Sequence, residues 1–512
     1  MLHWSDDVVS LLEERGGEHV IATGTSISGR PQIGNASDVI RGDCIRKAAL
    51  ESGLKAELIW ISDDSDPFRK VPAGMEGLDD YLGFPVKDLP DLDGCHSNFV
   101  DHFAQPFIQD LSEFGVKPKV HSGTDLYRNG ELVEEIRTAF EKRVEIRDIL
   151  NRFRRDPLPE DYLPWTPICE KCGKISTTKV FGVDGLKADY ECVSTGVSGG
   201  EVEGCGHKGV SDASKGMGKL PWRVEWAARW RRFKVTCEPF GKDHAAAGGS
   251  YETSKIISEE VFDWTPPVPL VYEFFTLNGE KISSSKGNVI TLADWLVIAE
   301  PEVLKYFMYK RLMKQRDINL SLLSNLTDEY DEAERIYHKR QEGDMGLARM
   351  YDLAQVGEPK YLNVPFTLCA VLAQVAFEGE YSSKAESMGY AGFDVERLNR
   401  RVRLAGNWVQ KYGPDHLRFT LNSEGEAGRE RDSLSDSERK CLEEIVGLLD
   451  GDWSSEEFHK KIYEVARSNG VKPPKLFKAI YRVLIGNDRG PKAAAFMLSL
   501  GREHIVARFR GG

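Results

Sequence analysis

Two loops of this sequence carry residue types that bind polyphosphates. The first, 24–35 (GTSISGRPQIGN), is rich in glycine and serine and leads into a segment with helical spacing. Small residues let the backbone approach a ligand closely, and the free N–H groups at a helix start favour phosphate oxygens. The second, 281–287 (KISSSKG), carries two lysines and three serines that can neutralise a pyrophosphate as it leaves. Taken alone, each loop also fits a simpler interpretation, a tight turn or a solvated basic loop.

Four of the nine cysteines have the spacing of a metal site. Cys169 and Cys172 form a Cys-x-x-Cys pair, which offers two thiolates on one turn, and Cys192 and Cys205 follow. Little hydrophobic periodicity surrounds them, so a metal would explain the order of this segment. The pattern predicts a closed structural zinc site, with His207 as an alternative fourth ligand and reduced structural thiols as the other interpretation. The odd number of cysteines argues against a disulfide framework.

The elements predicted around the first loop belong to an open parallel sheet. Residues 19–23 form a short apolar run typical of a strand, and 33–50 resumes with helical spacing. A second apolar run, 56–61, ends in a polar stretch, and a third, 235–240, precedes an Asp-His pair. Because open parallel sheets bind ligands at the carboxyl ends of their strands, these polar residues predict a binding site.

The length of 512 residues exceeds what one hydrophobic core usually organises, so at least two domains are expected. We predict an α/β domain over 1–325, which includes a zinc-ribbon-like segment over 165–216, and an α-helical domain over 326–512. Residues 131–155 are predicted as one long helix and 301–316 as another.

Composition narrows the class of protein. With 41% hydrophobic and 29% charged residues, the chain is typical of a soluble globular protein. The net charge of −13 does not favour phosphate attraction overall. Basic residues do cluster, as over 397–403, but such runs are more often solvated helix faces than nucleic-acid contacts. Apolar runs are too short to span a bilayer and the start lacks a secretory signal, so the cytoplasm is the expected compartment.

The two loops together resemble the HIGH and KMSKS signatures of class I aminoacyl-tRNA synthetases, in the same order. Other segments, spread along nearly the whole chain, resemble the archaeal-type class I lysyl-tRNA synthetases. These are 66–72 (DPFRKVP), 95–98 (CHSN), 222–230 (WRVEWAARW), 238–244 (EPFGKDH), 248–251 (GGSY), 281–288 (KISSSKGN), 477–486 (FKAIYRVLIG) and 490–491 (GP). The sequence departs from the signatures at two positions. Gln32 stands in place of the first histidine of HIGH, and Ser284 stands where KMSKS often has its second lysine.

This resemblance implies an α/β fold: a Rossmann-type parallel-sheet catalytic domain with an inserted zinc-binding segment, followed by an α-helical anticodon-binding domain. It implies lysine–tRNA ligation, in which lysine and ATP with Mg²⁺ form lysyl-adenylate. The lysyl group then passes to the 2′-hydroxyl of the terminal adenosine of tRNA(Lys). Structural Zn²⁺, a cytoplasmic monomer and no membrane partner are also expected.

The resemblance also implies the site residues. Catalytic roles are expected for Gln32, Asn35, Lys281, Ser283 and Ser285. ATP contacts are expected from Gly34, Asp243, Gly248 and Lys286. The lysine pocket is expected to be shaped by Gly24, Ser26, Trp222, Trp226 and His244. The zinc ligands are expected to be Cys169, Cys172, Cys192 and Cys205, with His207 as the alternative.

Other interpretations of the same residues stay open. Trp222, Trp226 and Trp230 recur every four residues, so they can form an aromatic wall for a lysine stem or the core stripe of a helix. Two other functions also fit. One is a non-catalytic RNA-binding paralogue, with Gln32 as the mark of lost activation. The other is a class I synthetase for glutamate or cysteine, which needs cationic groups or a metal-bound thiol ligand in its pocket.

Overall fold

The computed structural model describes residues 3–72, 74–282 and 289–510. Two compact units make up the chain: Met1–Leu292 with Met308–Asp317, and Ala293–Phe307 with Ile318–Gly512. Within the described ranges, no helix is long and apolar enough to cross a membrane.

The first unit combines helices with strands. Its helices are α1 (Trp4–Arg15), α2 (Ile33–Glu51), α3 (Phe99–Glu113), α4 (Gly123–Arg128), α5 (Val133–Glu141), α6 (Arg143–Asn151), α7 (Trp222–Phe233) and α8 (Ser250–Glu260). The strands are β1 (His19–Thr25), β2 (Ala56–Ser62), β3 (Lys119–Ser122), β4 (Thr166–Pro167), β5 (Thr178–Asp184), β6 (Lys187–Cys192), β7 (Thr195–Val197), β8 (Gly200–Val202), β9 (Lys208–Asp212), β10 (Gly218–Lys219), β11 (Val235–Gly241), β12 (Val268–Tyr272), β13 (Phe275–Leu277), β14 (Glu280–Lys281) and β15 (Arg316–Ile318).

The central sheet is parallel throughout, in the order β12-β11-β1-β2-β3. The chain builds outward from β1 through β2 and β3, then returns to the other side of β1 with β11 and β12. Helix α2 packs closely against β1 and β2, because a Cβ at Gly42 would lie 2.8 Å from Cδ1 of Leu58. The predicted parallel-sheet fold is confirmed. Strand order reverses between β1 and β11, which is where open α/β sheets form a ligand-binding crevice.

A small antiparallel segment lies between α6 and α7 in the chain. It contains the sheet β5-β6-β9, the pair β7-β8 and the pair β10-β4. Its own buried cluster consists of Cys169, Tyr190 and Cys192, with Cys172, Val180 and Cys205 packed against them. Sulfur atoms therefore provide much of the interior of this segment.

Two helix predictions were wrong. Residues 131–155 form α5 and α6 rather than one helix, because Lys142 leaves helical geometry (φ −98°, ψ 28°) and its Nζ donates to the Val261 carbonyl at 2.9 Å. Residues 301–316 do not form one helix either, since α10 ends at Tyr309 and the chain then enters β15, which pairs with β13. In both cases tertiary contacts outweigh local helical spacing.

The second unit is almost wholly helical, as predicted. Its helices are α9 (Leu292–Ile298), α10 (Pro301–Tyr309), α11 (Leu323–Tyr337), α12 (Met345–Ala354), α13 (Phe366–Val375), α14 (Tyr381–Ser387), α15 (Val395–Lys411), α16 (Glu424–Asp432), α17 (Asp436–Leu448), α18 (Ser455–Ser468), α19 (Pro473–Ile485), α20 (Ala493–Leu500) and α21 (Arg502–Phe509). Helices α16 to α21 pack around a shared core that includes Phe458, Ile480 and Phe496.

The basic run of α15 is not a solvated face throughout. The side chain of Arg401 is 0% exposed and pairs with Glu300 at 2.7 Å and Asp331 at 2.8 Å. Arg397 also pairs with Glu300, at 2.8 Å. Burial alone would raise the pKa of Glu300, but the two guanidinium groups lower it to about 2. The stability that Glu300 contributes is therefore present above pH 4.5 and is lost as the pH falls toward 2.

Replacing Arg401 with methionine is expected to lower the free energy of unfolding by about 3–5 kcal/mol, because Glu300 and Asp331 would lose a buried cation. The measurement is urea unfolding followed by circular dichroism. The matched control is Arg400→Met, since Arg400 is the preceding residue of α15 and is exposed. Equal, small effects of the two substitutions would contradict a stabilising role for the buried ion pairs.

Candidate active site

A cavity of about 740 Å³ lies in the crevice between β1 and β11. Seven of the predicted site residues line it together: Gly24, Ser26, Gly34, Asn35, Trp222, Trp226 and His244. Gln32, Asp243, Gly248 and Lys281 are not among the lining residues. Ser283, Ser285 and Lys286 lie outside the described residues. The structure thus gathers residues from four separate sequence segments at one edge of the sheet.

The start of α2 forms one side of this cavity. Gln32 is the N-cap residue, and its backbone N–H donates to Oδ1 of Asn35 at 2.9 Å. A Cβ built on Gly34 would meet no heavy atom within 4 Å. A Cβ on Gly24 would lie 3.2 Å from the carbonyl oxygen of Ile61. Glycine at 24 therefore allows close packing of β1 on β2, whereas glycine at 34 leaves space open at the helix start.

Another part of the cavity lining is aromatic. Trp222 and Trp226 stack with ring centroids 5.1 Å apart and an interplanar angle of 19°. His244 lies 5.5 Å from Trp226, and burial lowers the pKa of its imidazole. Trp230, one turn further along α7, is 0% exposed. The stripe therefore has both roles: all three tryptophans line the cavity, Trp226 and Trp230 also belong to the buried core, and Trp222 is half-buried.

A carboxylate lies beside this aromatic wall, at Glu238 of β11. Its two oxygens accept hydrogen bonds from the indole N–H groups of Trp226 at 2.9 Å and Trp230 at 2.5 Å. Burial raises the pKa of Glu238 to about 7, although both indoles oppose the shift. Glu238 is not among the site residues predicted from the sequence. A charged residue in an otherwise apolar strand was the available signal, because such a residue needs buried partners.

Three cations line the cavity, and the two buried ones, Arg229 and Lys219, are neutralised, whereas Arg69 is exposed. Arg229 pairs with Asp63 at 2.5 Å and with Glu225 at 2.9 Å. Lys219 pairs with the same Glu225 at 2.9 Å and with Asp66. Arg229 and Lys219 each already have two carboxylate partners, so their positive charge is not available to a ligand. This network instead holds the loop after β2 against α7.

Lys281 ends a short hairpin formed by β13 and β14. The turn is made by Asn278 (φ 53°) and Gly279 (φ 82°), the two positive φ values that a tight two-residue hairpin needs. Asp317 anchors it by accepting from the backbone N–H of Gly279 at 2.7 Å. Nζ of Lys281 lies 5.4 Å from the ring centroid of Phe274. The hairpin thus places exposed Lys281 at the first position of the second loop, 281–287.

The four predicted cysteine ligands come together in the inserted segment. Their sulfur atoms lie within 4.8 Å of one another. The distances from Cys169 to Cys205 and from Cys172 to Cys192 are both 3.7 Å. Tetrahedral zinc with Zn–S bonds of about 2.3 Å has S···S edges of about 3.8 Å, so the donor set fits. His207 is placed elsewhere: its Nε2 lies 2.7 Å from Oε1 of Glu170.

Comparison with known proteins finds similar sequences over nearly the whole chain. Residues 2–357 match the family model described as tRNA synthetases class I (K), and residues 415–512 match an anticodon binding domain. A lysine–tRNA ligase of Methanosphaera stadtmanae is 36% identical over 538 residues, covering 99% of both chains. One from Archaeoglobus fulgidus is 36% identical over 515 residues, again covering 99% of both. The family predicted from the sequence is therefore confirmed: this chain belongs to the class I tRNA synthetases.

Proposed function

We propose that this protein is a lysine–tRNA ligase that activates lysine with ATP and transfers it to tRNA(Lys). The observation that carries the proposal is Glu238, a buried carboxylate that lines the crevice and accepts from the indoles of Trp226 and Trp230. Lysine has an apolar four-carbon stem and a terminal ammonium group. A stacked indole pair suits the stem, and a desolvated carboxylate suits the ammonium group. The names of the full-length relatives support the same substrate.

The remaining pocket residues are assigned by position. Gly24 lies in the last residues of β1, Ser26 follows the strand, and both line the same cavity, so they are suited to contact the main-chain groups of lysine. His244, with its lowered pKa, is uncharged at neutral pH and does not repel the ammonium group. Among the described residues that line the cavity, the carboxyl groups of Asp38 and Glu238 have no ion-pair partner, and Glu238 is proposed to receive the ammonium group.

ATP is proposed to bind at the start of α2. Gln32, Gly34 and Asn35 lie at the positive end of the helix dipole, which favours phosphate. Asp243 and Gly248 follow β11 and are proposed to contact the nucleotide. Mg²⁺ bound with ATP supplies further neutralisation of phosphate charge.

The chemistry then follows in two steps. A carboxylate oxygen of lysine attacks the α-phosphorus, the bond to the β-phosphate breaks, and pyrophosphate leaves. Lys281, Ser283, Ser285 and Lys286 are proposed to stabilise the negative charge that develops on pyrophosphate. The 2′-hydroxyl of the terminal adenosine of tRNA(Lys) next attacks the acyl carbon, and AMP leaves with the bonding electrons. No redox step is required.

The alternative amino acids are disfavoured by the same cavity. Glutamate needs an available cation, but the two buried cations of the cavity, Arg229 and Lys219, are already paired with carboxylates. The third, Arg69, is exposed to solvent and offers no desolvated positive charge. Cysteine selection through a metal-bound thiol needs metal ligands in the pocket, and no cysteine is among the described residues that line it. A non-catalytic paralogue has no need to retain a desolvated carboxylate beside an aromatic wall.

The test is ATP–pyrophosphate exchange with each of the twenty amino acids, with and without tRNA. Exchange with lysine alone, followed by esterification of tRNA(Lys), is the expected result. Exchange with glutamate or cysteine instead would assign a different specificity. If no amino acid supports exchange even with tRNA present, the catalytic proposal is wrong and the paralogue interpretation replaces it.

Gly34→Ala is expected to raise KM for ATP about tenfold, equivalent to about 1.4 kcal/mol, without lowering protein stability. The added methyl group meets no protein atom, so it would occupy space proposed for phosphate. The measurements are initial rates at varied ATP and a thermal melt. The control is Gly447→Ala, an exposed glycine in α17 whose added Cβ also meets nothing within 4 Å. An unchanged KM in Gly34→Ala would place ATP elsewhere.

The wider organisation is also proposed. A catalytic domain over 1–325 and a tRNA-reading helical domain over 326–512 are supported by the matches to 2–357 and 415–512. We propose structural Zn²⁺ on Cys169, Cys172, Cys192 and Cys205, supported by the tetrahedral sulfur spacing. A monomeric state and a cytoplasmic location stay predictions, and light scattering of the purified chain tests the first of them.

A further inference from the structure

The segment 66–72 (DPFRKVP), which follows β2, brings one cation to the crevice that the proposed chemistry does not use. Arg69 lines the cavity and is exposed, so it lies where the cavity opens to solvent. The other two cations of the lining, Arg229 and Lys219, are paired with carboxylates. Among the described residues, Arg69 has no ion-pair partner. Its positive charge is therefore available to a ligand.

The acidic residue of this segment does not compensate Arg69. Asp66 pairs with Nζ of Lys219, which is buried beneath the segment and also pairs with Glu225 at 2.9 Å. Lys70, the residue after Arg69, is exposed as well. The exposed part of the segment thus carries positive charge at the edge of a cavity, which attracts anionic ligands.

The backbone of Arg69 is held from two sides. Phe68, the preceding residue, is 2% exposed, and its N–H donates to the carbonyl of Phe84 at 2.7 Å. The carbonyl oxygen of Arg69 accepts from the backbone N–H of Gly199 at 2.7 Å. A Cβ at position 199 would lie 2.7 Å from that oxygen, so a larger residue would push the two segments apart. The side chain of Arg69 extends from a fixed backbone, which lowers the entropy lost when it binds a ligand.

The chemistry of Arg69 favours a phosphate. A guanidinium group binds two phosphate oxygens through parallel hydrogen bonds, and it does so without being buried. Two sources of phosphate can reach this cavity: ATP and the 3′ end of tRNA. The triphosphate is proposed to bind at the start of α2 and at the loop 281–287. The tRNA end must enter from solvent, and its last phosphodiester is attached to the ribose that carries the reacting 2′-hydroxyl. The open side of the cavity therefore suits the tRNA phosphodiester.

On the basis of the proposed function, we propose that Arg69 binds the phosphodiester that precedes the terminal adenosine of tRNA(Lys). This contact positions the 2′-hydroxyl for transfer but does not read a base, because phosphate carries no sequence information. Gly199 lies between β7 and β8 of the inserted segment and holds the backbone from which Arg69 extends. Through this contact the inserted segment takes part in placing the tRNA end.

Steady-state aminoacylation tests the proposal. Arg69→Ala is expected to raise KM for tRNA(Lys) about tenfold, because a charge-assisted contact is lost, while KM for ATP and for lysine stays unchanged. Arg69→Lys keeps the charge without the paired hydrogen bonds and is expected to recover part of the loss. Arg137→Ala is the matched control, since Arg137 is exposed in α5 and does not line the cavity. A rise in KM for ATP instead would assign the phosphate to the nucleotide and overturn the proposal.

A modified tRNA identifies the phosphate itself. A methylphosphonate in place of the last phosphodiester removes its charge and leaves the rest of the tRNA unchanged. The unmodified protein is expected to lose about tenfold in kcat/KM with this substrate, whereas Arg69→Ala is expected to show no further loss. If the two losses multiply, the two groups act independently. Arg69 would then contact something else, and the proposal would be wrong.

Binding separates this inference from the proposed function. The affinity for a tRNA(Lys) transcript is measured by fluorescence anisotropy at several salt concentrations, without ATP or lysine. In Arg69→Ala the slope of log affinity against log salt is expected to become shallower by about 0.7, the value for one phosphate of a single strand. An unchanged slope and Kd would remove Arg69 from tRNA binding. If the unmodified protein does not aminoacylate tRNA(Lys), the proposed function is wrong, and the salt slopes still decide whether Arg69 binds a tRNA phosphate.

Discussion

Glu238→Gln is expected to lower kcat/KM for lysine about 100-fold while KM for ATP stays unchanged. Removing one partner of a buried charge pair costs about 2–5 kcal/mol, and every 1.4 kcal/mol is tenfold. Glutamine is nearly isosteric and keeps one oxygen for the indole of Trp226 or Trp230. Steady-state kinetics of pyrophosphate exchange measure the effect.

Norleucine, which has a methyl group in place of the ammonium group, separates recognition from folding. In Glu238→Gln, kcat/KM for norleucine is expected to hold or rise, because no charge is lost with this substrate. A damaged pocket would lower both values together. A parallel fall for lysine and norleucine would therefore remove Glu238 from substrate recognition.

The same residue predicts a pH dependence. The pKa of Glu238 is raised to about 7, so its carboxylate is increasingly protonated as the pH falls below that value. Lysine keeps its ammonium charge throughout this range. We expect kcat/KM for lysine to fall below pH 7 and the same step to be absent in Glu238→Gln. If kcat/KM for lysine still falls below pH 7 in Glu238→Gln, the pH dependence is due to a titratable group other than Glu238.

Lys281→Ala is expected to lower kcat of adenylate formation about 100- to 1000-fold with little change in KM for lysine. Lys281 is exposed at the end of the β13–β14 hairpin and is proposed to meet charge that develops only as pyrophosphate leaves. Loss of one donor to a developing anion has about this effect. Rapid-quench measurement of a single turnover isolates this step.

Transfer from preformed lysyl-adenylate to tRNA provides an internal reference, since pyrophosphate has already left. This second step is expected to be nearly unaffected in Lys281→Ala. Lys255→Ala, an exposed lysine in α8, is the matched charge control. If adenylate formation in Lys281→Ala equals that of the control, Lys281 has no role in the transition state.

Much of the scaffold could be predicted from local sequence. The apolar runs at β1, β2 and β11, the glycine-rich turn before α2 and the Cys169–Cys172 pair each depend on neighbours a few residues away. These features could be predicted because hydrophobic periodicity, turn-forming residues and the spacing of metal ligands each depend on residues that are close together in the sequence. The central parallel sheet followed from such local features, and the helical second half followed from its own helical spacing. The family was indicated instead by the resemblance of motifs spread along nearly the whole chain.

The tertiary structure decided what depends on distant partners. Glu238 is a pocket carboxylate because α7 delivers the indoles of Trp226 and Trp230 to its two oxygens. Arg401, predicted on a solvated face, is buried because Glu300 and Asp331 neutralise it from other helices. Burying a charged side chain costs free energy unless an oppositely charged or hydrogen-bonding partner is buried with it. Such partners are far apart in the sequence and meet only in the folded chain. Sequence spacing therefore cannot identify them.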